Sequence, residues 1–278
     1  MYLIKKQLFI SLLICSNILF AGEIKNHRQV QEATALFEIW LEAQRDYHQL
    51  PGLTMAVVHD QETIWSGGYG YANPYKQISS SSTTIHSICS ISKLFTGIAV
   101  MQLRDQEKLH LDDPLSKHLP WFNIENTYPE WGMATIRNIL THSSGLPRES
   151  DYPYWTGPDF PFPSSEKIVE QLSNQETLYP ADKYFQYSNL GLSLAGEVVA
   201  AVSGIPFNDY IQDNILQPLA MTDTRPVMPK SLYGDQLAIG HEALNRTGER
   251  PVVSLFNAEG IGPAAGFSST ASDLAKFA

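Results

Sequence analysis

The sequence predicts an α+β protein. Two strand-like runs lie close together near its start, at Leu53–Val58 and Thr63–Tyr69; a longer middle region repeats apolar residues at helical spacing; Pro and Gly punctuate the joins. With 278 residues, 43% hydrophobic and 17% charged, the chain can bury a full core as one large or two modest domains.

The elements follow in order. Lys5 and Lys6 precede an apolar run from Leu8 to Phe20, interrupted by Ser11, Ser16 and Asn17 and followed by small Ala21 and Gly22. That is the pattern of an export signal, so residues 1–21 are set apart as a signal peptide and 22–278 are read as the folded domain. The run is short against the roughly 20 apolar residues of a membrane span, and bulky Ile14 before Cys15 argues against lipid attachment. Val30, Ala33, Leu36, Phe37, Trp40 and Leu41 predict one amphipathic helix over Gln29–Tyr47. After Pro51 and Gly52 the two strand runs, joined by the polar turn His59–Glu62, predict a hairpin packed on that helix. From Ser90 to Asp105 the period is helical again, and Thr135 is placed as N-cap of a short helix ending at Thr141. Pro147–Pro163 reads as a long ordered loop. Helices are expected at Ser165–Leu172, at Leu190–Val202 ending at Gly204, and from Pro206 as a first helical residue. Leu237–Leu255 is expected to be extended, with a turn at Asn245–Gly248, and Ala271 begins a last helix.

Composition excludes some functions. The formal net charge is −10, and two units more negative once Lys5 and Lys6 are removed, a poor surface for nucleic acid. Cys89 is then the sole cysteine, which rules out an internal disulfide; it is expected to be a small buried apolar residue. The eight histidines fall into no metal-binding spacing, and no metal or cofactor is expected.

Two short clusters carry chemistry. Ser90 opens a helix and Lys93 lies three residues on, one turn away on the same face. A lysine so placed can take the serine proton if burial lowers its pKa, while the helix N-terminus favours charge developing on an acyl oxygen. The second copy of this spacing, Ser164 with Lys167, follows Pro163 and is read as a helix cap with a solvated lysine. Tyr187-Ser188-Asn189 stands at the mouth of the helix from Leu190; its tyrosine can carry a proton and its asparagine can hold a substrate amide. Tyr71-Ala72-Asn73 repeats that spacing by accident. His142 is read as structural, and the absence of any Gly-x-Ser-x-Gly counts against an α/β-hydrolase.

Taken together, the chain resembles the serine β-lactamase and penicillin-binding family, in particular the class C β-lactamase, D-alanyl-D-alanine carboxypeptidase and related esterase branch. The resemblance rests on Ser87–Thr96 (SICSISKLFT) and Tyr187–Asn189 (YSN), with framework stretches Ile139–Pro147 (ILTHSSGLP), Gln217–Thr224 (QPLAMTDT) and Gly262–Leu274 (GPAAGFSSTASDL). It implies a β-lactamase/transpeptidase-like α+β fold, an antiparallel sheet with flanking helices and a mainly helical inserted region. It implies Ser90 as nucleophile, Lys93 and Tyr187 sharing proton transfer, and Asn189 on the substrate amide. The family's third motif lies downstream of the stretch resembling Gly262–Leu274; the expectation is therefore a chain truncated before its C-terminal strands. Arg246-Thr247-Gly248 imitates that motif only in a turn. The implied function is a periplasmic serine hydrolase taking a β-lactam, a D-alanyl peptide or an ester through an acyl-enzyme, free in its compartment or close to the membrane. Its rival is a non-catalytic remnant or binding protein of the same fold.

Overall fold

The computed structural model of the chain describes residues 24–151 and 155–278. The expected signal peptide lies outside these residues. Within them the chain forms two compact units: one takes the residues up to Thr84 with Gly234–Ala238 and Thr270–Ala278, the other Ile85–Tyr233 with Ile239–Ser269.

In the first unit, helix α1 (Arg28–Tyr47) starts where His27 accepts a hydrogen bond from the Gln29 N–H. Strands β1 (Gly52–His59) and β2 (Glu62–Asn73) pair antiparallel, His59 opposite Glu62, with a register shift between Val57 and Val58. The hairpin turns on Asp60 and Gln61 alone, at φ of 46° and 70°; two consecutive left-handed residues give a turn whose twist matches that of the strands. Short β3 (Ile78–Ser79) extends the sheet on β2. The helix packs on the hairpin as expected: Phe37 stacks on Trp40 at 5.8 Å and meets Trp65 edge-on at 5.5 Å, and the Trp65 indole donates to Glu38 at 2.8 Å. The last helix, Ala271–Phe277, is capped by Thr270 and packs on β1. Asn73, of the accidental Tyr-x-Asn, is buried and structural: it donates to the Gly234 carbonyl and accepts from the Tyr75 and Lys76 N–H groups.

The second unit is mainly helical. Strand β4 (His86–Ser87) leads through a 3₁₀ turn, Cys89–Ile91, into α2 (Ser92–Asp105), whose Phe95, Thr96, Ala99, Val100 and Leu103 are buried. Short α3 (Leu115–His118) is followed by α4 (Ile136–Leu140), where Thr135 and Asn138 form a reciprocal capping box. Next come α5 (Ser165–Leu172), α6 (Asn189–Ser203), α7 (Phe207–Ile211), α8 (Gly262–Ala265) and β5 (Ser268–Ser269), which pairs antiparallel with β4. The core sits where α2, α6 and α8 pack together. Gly196 makes this possible, because a Cβ there would run into the Pro263 ring.

Three local readings are corrected. Cys89 is exposed, its Sγ 3.3 Å from Ser87 Oγ: the turn into α2 holds it at φ 41° and points it outward. Pro206 is the N-cap of α7 and not its first residue, with ψ 140°. Leu237–Leu255 forms no regular strand, only the isolated bridge His241–Val252; Asn245 Oδ1 closes the expected turn by accepting from the Thr247 and Glu249 N–H groups.

Candidate active site

Ser90 is set by strained backbone. Cys89, immediately before it, occupies the left-handed region, at a cost of roughly 1–2 kcal/mol for a residue with a Cβ. Ser90 is thereby left exposed in the turn leading into α2, where the helix dipole favours developing negative charge. Below it, Ser92 donates to the Cys89 carbonyl and accepts from the Phe267 N–H, while Thr96 donates to the Pro263 carbonyl at 2.7 Å. These bonds fix α2 against the 263–267 segment.

Lys93 then lies where the helical period puts it. Its Nζ donates to Ser90 Oγ at 3.1 Å and to the Ala264 carbonyl at 2.8 Å. Burial pushes its ammonium below the ordinary lysine range. Hydrogen bonding and charge from Tyr187 and charge from Glu149 act against that shift; Arg148 reinforces it.

Tyr187 arrives from the other side, its hydroxyl donating to Ser90 Oγ at 2.7 Å. Its ring lies 4.7 Å from Lys93 Nζ and 5.1 Å from the Arg148 guanidinium, and packs against the His142 imidazole at 4.5 Å. The loop that carries it is welded to the Ile139–Pro147 framework. The Gln186 N–H donates to the His142 carbonyl, the Ser188 N–H to His142 Nδ1 at 3.1 Å, and Ser188 Oγ to the Pro147 carbonyl. Gly145, at φ 72°, lets this framework lie against the Tyr179 carbonyl, which a Cβ would strike. His142 makes structural contacts, its Nδ1 accepting from the Ser188 N–H, and burial, with a smaller push from Lys93, lowers its pKa from the ordinary histidine value.

Asn189 is not brought to the open site. It is the first residue of α6, 2% exposed, and its Nδ2 donates to Glu149 Oε1 at 2.6 Å. Ser90, Lys93, His142 and Tyr187 line, with Leu94, Ile98, Met101 and Leu192, a cavity of about 510 Å³, and Asn189 is not among its walls. Sequence reading missed Arg148, Glu149 and the Ala264 carbonyl. The first two are legible only as a charge pair directly after Gly145-Leu146-Pro147; a backbone carbonyl leaves no signal at all. The Ser164–Lys167 pair is the cap it was read to be, with Lys167 ion-paired to Glu170 at the surface.

A serine hydroxyl held between a buried amine and a phenol, at a helix start, is equipped for acyl transfer. The fold that carries it is of the β-lactamase/transpeptidase-like class. A family model described as "Beta-lactamase" matches residues 37–278, and the chain belongs to that family. Among curated relatives it is 36% identical over 185 residues to "Beta-lactamase-like protein 2" of Dictyostelium discoideum, covering 66% of this chain and 33% of that protein. It is 30% identical over 210 residues to "Protein flp" of Staphylococcus aureus, covering 74% and 40%. Among solved structures, the octameric penicillin-binding protein homologue from Pyrococcus abyssi superposes with a TM-score of 0.76 at 26% identity, covering 88% of this chain and 55% of that one. The chain thus spans between a third and two fifths of the length of these curated relatives.

Proposed function

We propose that this chain is a serine hydrolase that works through an acyl-enzyme on Ser90, with a β-lactam, a D-alanyl peptide or an ester as acyl donor. The observation that carries the reading is the position of Ser90 Oγ, 3.1 Å from Lys93 Nζ and 2.7 Å from Tyr187 Oη. Ser90 Oγ attacks the substrate carbonyl carbon and its proton passes into the Lys93–Tyr187 pair. The pair returns that proton to the departing nitrogen or oxygen as the scissile bond breaks. Water, giving its proton to the same pair, then releases the acid and restores the Ser90 hydroxyl. The Ala264 carbonyl keeps Lys93 Nζ beside Ser90 throughout. Both groups reach the same oxygen, so the proton work is assigned to them together.

The test is turnover of a chromogenic cephalosporin, a nitrophenyl ester and a peptide ending in D-alanyl-D-alanine, with Ser90→Ala as control. Hydrolysis of at least one by the wild type, lost in the variant, is expected. Equal rates for the two proteins on every substrate would end the proposal and leave a non-catalytic member of the fold.

A further inference from the structure

Glu149 stands behind the Ser90–Lys93–Tyr187 cluster and no role in the reaction above falls to it. One of its carboxylate oxygens, Oε1, accepts from Asn189 Nδ2 at 2.6 Å and from the Trp155 indole at 3.0 Å, and lies 3.3 Å from Arg148 Nε. A carboxylate has no proton to offer, so it dictates the orientation of the Asn189 amide: the NH₂ faces Glu149 and Oδ1 faces away, buried without a partner among the described residues. The backbone is tied to the same place. The Arg148 carbonyl accepts from the Asn189 and Leu190 N–H groups, capping α6 just beyond Tyr187, and the Glu149 carbonyl accepts from Gln175.

We propose that Glu149 is a positioning residue for the acylation of Ser90: its carboxylate gathers Asn189, Trp155 and Arg148 onto one oxygen and so holds the start of α6, with Tyr187, against the nucleophile. The inference rests on the proposed role of Ser90. It also has an electrostatic side. The groups facing Lys93 are Ser90, the Ala264 carbonyl, Tyr187, His142, Arg148 and Glu149; Glu149 is the acidic side chain among them, and its charge favours the ammonium. Removing that charge lets Lys93 lose its proton at lower pH.

The experiment is the rate of Ser90 modification by a fluorophosphonate, followed by intact mass across pH, for wild type, Glu149→Gln and Glu149→Ala. Glutamine keeps an acceptor oxygen for Asn189 and Trp155 but not the charge. Its plateau rate is expected within about threefold of wild type, with the rising limb displaced to lower pH. Alanine removes the tie, and a loss of about 10- to 100-fold in plateau rate is expected, as for a misplaced reacting group. A Glu149→Gln profile superimposed on that of wild type, together with an undiminished plateau in a folded Glu149→Ala, overturns the inference while leaving Ser90 as nucleophile. An unmodified wild type overturns the Ser90 reading itself, and this inference with it.

Discussion

Ser90 Oγ receives two hydrogen bonds, from an amine and from a phenol, and the two donors differ in what their removal does. Tyr187→Phe deletes one donor and leaves the ring on His142, so the fold is kept and Ser90 modification is expected to slow about 10²- to 10³-fold. Lys93→Met removes the amine, and a loss of similar or greater size is expected. Stability should move the other way. The folded pKa of Lys93 is lowered, so between the folded and unfolded values the unfolded chain binds more protons and stability rises with pH. The folded environment therefore disfavours the ammonium, and Lys93→Met is expected to gain stability in chemical denaturation. A variant that loses both rate and stability would contradict this account. The same lowered pKa predicts that acylation rises with pH at values where an exposed lysine is still fully protonated, a limb absent from Lys93→Met.

At the scale of elements, the site is set by how closely helices approach one another. Gly196 of α6 faces Pro263 of α8, and Pro263 and Ala264 supply the carbonyls that hold Thr96 and Lys93. Gly196→Ala must push these helices apart. A cost of about 1–3 kcal/mol is expected, with slower Ser90 modification because the Ala264 carbonyl leaves Lys93. The approach to α3 is fixed by Asp113, which accepts from the His110 N–H, Lys117 and His118. Burial raises its pKa, but these bonds outweigh burial and hold the carboxyl well below the ordinary range. A depressed carboxylate stabilises the fold above its unfolded pKa, and that contribution disappears as pH falls through the folded value. Asp113→Asn is expected to cost about 1–3 kcal/mol at pH 7 and to flatten the fall of Tm in acid. An unchanged acid limb would show that the cluster contributes nothing.

Across the molecule, legibility followed periodicity. The Gly52–Asn73 hairpin, α1, α2, α5 and α6 were readable because their apolar residues recur at two or at three and four, and Thr135 and Ser164 because a capping side chain has a sequence signature. Leu237–Leu255 misled: its short apolar runs on either side of the Asn245–Gly248 turn look extended, but only His241 and Val252 meet as a bridge. Cys89 misled because residue type suggests burial, whereas the turn that presents Ser90 turns it outward. In the candidate site, Ser90, Lys93 and Tyr187 were placed from spacing and resemblance, and the structure brings these three together. Asn189 sits behind them on Glu149, a partner 40 residues earlier that no local pattern links to it.

The central claim, that Ser90 is an activated nucleophile, is tested most directly by the intact mass of the whole chain after exposure to a fluorophosphonate at neutral pH, beside Ser90→Ala. The account predicts one phosphonyl adduct on the wild type, mapped to Ser90 by peptide sequencing, and none on the variant. No adduct on a wild-type protein shown to be folded by circular dichroism, or an equal adduct on both proteins, would contradict it.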